Sequence, residues 1–119
     1  MFKFLLTILL GSSAAFAQSM TEFQCITAVK NSARLSAAAA RDVCLTATSF
    51  AGAARCAQVK GPLNFSSFGA YVLCTHGANA ERATCATEGI KGGYTHKFTT
   101  SVCNPNETKS RRWAKSYNW

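Results

Sequence analysis

The spacing of six cysteines constrains this chain more than any other feature. Cys25 and Cys44 enclose 18 residues, Cys56 and Cys74 enclose 17, and Cys85 and Cys103 enclose 17. The leading member of each pair recurs after 31 and then 29 residues. Self-similarity at a fixed period of this size marks stacked supersecondary units, none of which buries its apolar face alone. The spacing therefore predicts three copies of one module, over approximately 19–48, 49–78 and 79–105.

Residue chemistry inside the copies selects helix. Eight residues before the second cysteine of each pair stand Ser36, Ser66 and Thr95. These are N-cap types, whose side-chain oxygen accepts from a free backbone N–H of the first turn. Counting back from the same cysteine, offsets −5, −4 and −1 hold Ala39, Ala40 and Val43; Gly69, Ala70 and Leu73; Phe98, Thr99 and Val102. Together with the cysteine these offsets form one helical stripe of small and apolar residues. The third copy, taken alone, alternates like a strand and is rich in threonine. Its equivalence to the strongly helix-forming Ala37–Ala40 run predicts that it is helical too. Six or seven residues before the leading cysteines stand Ser19, Ser49 and Asn79, again capping types, and Ser19–Glu22 has capping-box spacing. Gly61-Pro62 and Gly92-Gly93 supply stops. Each module is thus two short helices joined by a loop.

After the third copy, Arg112-Trp113-Ala114 echoes Arg55-Cys56-Ala57, with Trp113 in place of the cysteine and Asn106 as cap behind Pro105. A lone helix over 106–118 is the expected closing element of such an array. The fold class predicted is all-α: a disulfide-stapled array of three helical hairpins plus a C-terminal capping helix. It resembles α-solenoid repeats in outline, without the motifs of the 34-residue tetratricopeptide class. That resemblance implies a helical array and nothing about activity.

The redox compartment follows from the first residues. Lys3, an apolar run from Phe4 to Leu10, and Ala15-Phe16-Ala17 before Gln18 have the three-part pattern of a cleaved export signal over 1–17. No later segment is apolar enough to span a bilayer. All six cysteines follow the cleavage site, and an even count in a short exported chain predicts a disulfide framework. Zinc is the rival, but no CxxC pair occurs, and Cys74-Thr75-His76 is too small a cluster to hold a metal. In an antiparallel helix pair, the start of one helix lies beside the end of the other. Pairing within modules (Cys25–Cys44, Cys56–Cys74, Cys85–Cys103) uses all six and is preferred to links between modules (Cys44–Cys56, Cys74–Cys85). The export signal and the bridges predict a periplasmic or secreted location, with 18–119 as a single mature domain.

Loss of Lys3 with the leader leaves twelve Lys and Arg against five Asp and Glu, a net charge of +7. Positive charge attracts anionic lipid, polysaccharide or acidic protein. The bases Lys30, Arg34, Arg41, Arg55, Lys60, Arg82, Lys91 and Lys97 are spread, which predicts a generally positive surface. The tail concentrates them: Lys109, Arg111, Arg112 and Lys115, with Trp113, Tyr117 and Trp119 and no acid beyond Glu107. Helical spacing sets Trp113 and Tyr117 inward, Arg111 and Lys115 outward, and Arg112 beside Trp119. Lys109, Arg111, Arg112, Lys115 and Trp119 are therefore the candidate anionic-partner site, with peripheral membrane contact as one form of it. Base-stacking aromatics are not interleaved with the other bases, so nucleic acid is not the expected partner. Phe65, Phe68, Tyr71 and Phe98 read as core.

Catalytic patterns are missing. His76, in a His-Gly-Ala-Asn loop, and His96, at a helix start, are read as surface histidines, and neither has the Ser and carboxylate partners of a triad. Glu81 and Glu88 share a helix face, but helix N-terminal charge complementarity accounts for Glu22, Glu81 and Glu107. No glycine pattern forms a phosphate loop, so no cofactor is expected. Asn64 and Asn106 match the glycosylation acceptor, which matters only in a eukaryote. The sequence thus points to an exported, non-enzymatic binding protein with an anionic partner. A cationic antimicrobial or toxin-like effector is the alternative, and a small hydrolase the third.

Overall fold

The computed structural model describes residues 20–119. The expected leader 1–17 and Ser19 lie outside the described residues. Among these there are seven helices and no strand: α1 Glu22–Ala33, α2 Ala37–Thr46, α3 Phe50–Ala57, α4 Ser67–Cys74, α5 Ala80–Lys91, α6 His96–Cys103 and α7 Glu107–Ala114. The all-helical class is as expected, including the threonine-rich α6. There Thr100 donates its hydroxyl to the His96 carbonyl one turn back, a bond that satisfies the side chain inside a helix.

Caps account for where the helices begin. Ser36, Ser49, Ser66, Asn79 and Thr95 each accept from the backbone N–H three residues on. The first helix is the exception to the expected pattern. Its cap is Thr21, not Ser19, because Thr21 and Gln24 bond reciprocally to each other's backbone N–H. Asn106 stands at the cap position of α7 but makes no capping bond; its side-chain amide is used elsewhere.

Each disulfide joins two consecutive helices: Cys25–Cys44 ties α1 to α2, Cys56–Cys74 ties α3 to α4, and Cys85–Cys103 ties α5 to α6. No cysteine is left free. Around these bridges the core is built from small residues (Ala33, Ala39, Ala40, Ala53, Ala57, Ala70) with Val29, Val43, Val72, Leu73 and Tyr71. Small side chains let helices approach closely. At Gly52 a methyl group would come 3.0 Å from the Asn79 Cα, so α3 and the start of α5 touch through backbone. α1 packs on α2 and α3, and α3 also on α5; α4 packs on α2, α3 and α6.

The last helix lies elsewhere than the sequence suggests. α7 packs against α4 of the middle pair, and Tyr117 beyond it donates to Asp42 on α2. Phe98, expected in the core, is exposed, as is Val102 on the same helix.

Candidate functional site

The position of α7 is fixed by buried polar groups at the end of α4, where helix carbonyls have no intrahelical partner. Arg82, from α5, is buried and donates to three of them, at 3.0 Å to Leu73, 2.9 Å to Thr75 and 2.6 Å to His76. The Asn104 Nδ2 donates to the Val72 carbonyl at 2.6 Å and to Ser110 Oγ at 3.1 Å. Ser110 Oγ donates in turn to the Thr75 carbonyl at 3.0 Å, and Asn106 Nδ2 to the His76 carbonyl at 3.0 Å. Four polar side chains thus converge on one helix terminus, and two of them, Asn106 and Ser110, belong to the turn and helix of α7. The spread of bases along the sequence predicts Arg82 on the surface. It sits inside because no carboxylate is needed where carbonyls at a helix C-terminus carry partial negative charge.

His76 is also buried, contrary to its expected surface place. The chain reverses at His76 (φ 62) and Gly77 (φ 105), which turns the imidazole beneath Trp113 with ring centroids 4.4 Å apart. Its Nδ1 lies 3.2 Å from Ser110 Oγ, and its Nε2 has no partner. Burial, then the charge of Lys109, holds its pKa below the ordinary histidine value, with Asp42 opposing. The Ser110–His76 contact does not make a nucleophile: Ser110 is fully buried and its proton is given to a carbonyl. His96 is exposed, as expected. Its Nε2 donates to the Leu63 carbonyl at 2.7 Å, and its ring meets Phe65 edge-on at 4.6 Å.

Beyond α7 the chain folds back on α2 and α4. Tyr71 and Tyr117 both donate to Asp42 Oδ2. Burial first, then the Asp42 hydrogen bond and charge, push the Tyr117 phenol up to about 12; burial and Asp42 also raise Tyr71. Trp119 donates from its indole nitrogen to the Ala114 carbonyl at 2.7 Å, and its ring packs on Phe68 and Tyr71 at 5.5 Å each.

The five candidate residues are consequently not one cluster. Lys109, Arg112 and Lys115 are exposed. Arg111 is half-buried and paired with Glu107 one turn earlier. Trp119 remains 46% exposed but is turned toward Phe68 and Tyr71, away from the flank expected beside Arg112. The helix ends at Ala114, so helical spacing no longer governs residues 115–119. Trp113, expected inward, is 40% exposed over His76, and the inward residues are Ser110 and Ala114. At positions i, i+3 and i+4, Lys109, Arg112 and Trp113 share one outward face of α7. A cationic face with an aromatic ring attracts anionic groups and offers them an apolar neighbour.

Other sites are poorer in chemistry. An open groove between α3 and α5, of about 570 Å³, is lined by Arg55, Val59, Leu63, Thr87, Glu88 and Lys91 among others. Its charges are mixed, with Arg55 and Lys91 beside Glu88. Among the described residues no three His, Cys, Asp or Glu side chains stand close enough to hold a metal ion, and no helix is long and apolar enough to cross a membrane. No protein-family model, curated protein or solved structure matches this chain, so its function is read from these residues alone.

Proposed function

We propose that this chain is an exported, non-enzymatic binding protein, and that the outward face of α7 engages a polyanionic partner. The observation that carries the reading is the exposure of Lys109, Arg112 and Trp113 on a helix whose inner face is fastened by Ser110 to buried Thr75 and Asn104. Side chains on a rigid element lose less freedom on binding than those on a mobile tail. Export is supported by the leader pattern at 1–17 and by three disulfides, which persist in oxidising compartments.

The body that carries this face is, on the same reading, three equivalent hairpins in a row with α7 as an added last helix. Besides the cysteine period, one tie between neighbouring pairs recurs, from the same donor position to acceptors one residue apart in register. Ser67 donates to the Arg34 carbonyl, and His96, its counterpart seven residues before the second cysteine, donates to Leu63; each spans 33 residues. The first junction has two further ties, from the Thr48 and His76 backbone N–H groups to the Ala78 carbonyl and Thr46 Oγ1.

Retention on heparin and on anionic lipid vesicles tests the binding reading. Each base near an anionic surface contributes about 1 kcal/mol, so Lys109→Gln/Arg112→Gln/Lys115→Gln together should weaken binding roughly a hundredfold at low salt. Arg111→Gln should matter less, since Glu107 already neutralises that guanidinium. Wild-type binding should fall steeply as salt is raised. Absence of binding at low salt, or binding indifferent to salt, refutes the reading. Dye leakage from the vesicles would point to membrane disruption instead.

A further inference from the structure

We propose that the two ends of the helical array recognise each other, so that the protein associates head to tail with a second copy of itself. The proposal rests on the three-hairpin reading above. Its basis is that positions covered at the internal junctions are bare at the two ends.

Two residues before the leading cysteine stand Phe23, Ala54 and Ala83. The two alanines are buried, and Ala83 lines the α3–α5 groove together with Val59 and Leu63 of the preceding pair. Phe23, in the first pair of the described residues, is 80% exposed. Immediately before the second cysteine stand Val43, Leu73 and Val102; the first two are fully buried, while Val102 is 63% exposed. Phe98, at the position of buried Ala39, is 53% exposed. Cys25 and Cys56 are wholly buried, but Cys85 is partly open. The lateral ties behave alike: Arg34 and Leu63 carbonyls receive donors from the following pair, and the corresponding Gly92–Tyr94 loop has no pair after it.

Among the described residues, one face therefore lacks an upstream neighbour and one lacks a downstream neighbour. A second copy supplies an apolar neighbour to both, although Ala37, at the position of Ser67 and His96, has no donor for the lateral tie. The downstream face is shaped to receive a ring. Tyr94 and Phe98 stack at 5.2 Å beside a hollow of about 310 Å³ that Gly89, Thr99 and Val102 also line. The upstream face offers Phe23 with Met20 and Thr27 around it. α7 lies against α4, in the middle pair. Unlike faces make a heterologous contact, which continues from copy to copy or closes a ring, and does not stop at a symmetric dimer.

Copies of +7 charge repel, so screening should strengthen this association, opposite to the salt dependence of polyanion binding. Sedimentation velocity of the oxidised chain without residues 1–17, from micromolar to millimolar and at low and high salt, should show mass rising with concentration, more so at high salt. Phe23→Gln and Phe98→Gln/Val102→Gln should each be monomeric alone, since each lacks one face. Mixed in equal amounts they should form a dimer and stop, because one open face remains on each. In the unsubstituted chain, reduction of Cys85–Cys103 should slow as concentration rises. A chain monomeric at millimolar concentration in both salts, single-face variants that assemble like the parent, or a mixture that stays monomeric overturns the proposal. Heparin retention separates the two readings: end-face variants keep it, and the α7 triple variant keeps self-association.

Discussion

Replacing Arg82 by methionine should cost about 3 kcal/mol of stability, although the residue touches no acid. Each hydrogen bond from a charged donor contributes about 1.5–3 kcal/mol, and Arg82 makes three. Two of its acceptors are shared: Thr75 O also receives Asn104 and Ser110, and His76 O also receives Asn106. Only the Leu73 carbonyl loses its side-chain partner outright, and an orphaned buried acceptor costs about 1–3 kcal/mol. Part of the loss is offset because a buried guanidinium is itself poorly solvated, which also lowers its pKa. About 3 kcal/mol in a domain of this size lowers the melting temperature by roughly 12–20 °C. Calorimetry of the oxidised protein measures it, with exposed Arg112→Met as the control, expected within about 0.5 kcal/mol of the parent. Arg82→Lys should fall between, since one ammonium keeps the charge but cannot span three carbonyls. Gly77→Ala should be comparably damaging: a methyl there meets Arg82 Nη2 at 2.8 Å on a backbone with φ of +105. If Arg82→Met melts with Arg112→Met, the guanidinium does not hold the end of α4 and the reasoning is wrong.

The tyrosines give stability an alkaline limit. Tyr117 is raised to about 12, so above about 10 the unfolded chain has lost a phenolic proton that the folded chain keeps; stability should fall as pH rises from about 10 to 12, and not below it. Asp42→Asn should lower the Tyr117 midpoint, seen as earlier phenolate absorbance on titration; an unchanged midpoint would show that Asp42 plays no part. The bridges differ in access, since Cys85 is partly open and the other leading cysteines are buried. Limiting reductant followed by alkylation should label Cys85 and Cys103 first, and opening that loop should remove about 3 kcal/mol. Labelling of Cys25 or Cys56 ahead of them would contradict the burial pattern.

Most of the fold was legible because its determinants are local. Ser36, Ser49, Ser66, Asn79 and Thr95 act on the first turn of their own helices, and the cysteine period reports which turns must meet. The place of α7 was illegible because it depends on contacts across 30 to 35 residues, from Ser110, Asn106 and Asn104 to the end of α4. None of those residues is apolar, so hydrophobic periodicity is silent about them. The same blindness misplaced Arg82, buried because an unsatisfied helix terminus needs donors, and His76, whose reversed backbone turns its ring beneath Trp113. It misplaced Trp113 as well, since serine and alanine, not the larger ring, make the close approach. The clue was compositional: Asn104, Asn106 and Ser110 crowd beside Pro105, and short polar side chains at a turn often serve a neighbouring backbone.

Those misplaced residues also redraw the proposed binding surface. Removing Arg82 to the interior and pairing Arg111 with Glu107 takes two charges from the surface the sequence implied. What remains near the tail is a narrower set, Lys109, Arg112 and Lys115, beside a ring that sequence spacing had turned inward. A diffuse positive surface would attract any polyanion in proportion to net charge alone. On the proposed reading, a short cationic stretch on α7 and its C-cap makes binding depend on which three bases are removed, with Lys30, Arg55 and Lys97 as the charge-matched comparison. Equal weakening by both triplets would mean that net charge, and not α7, governs the interaction.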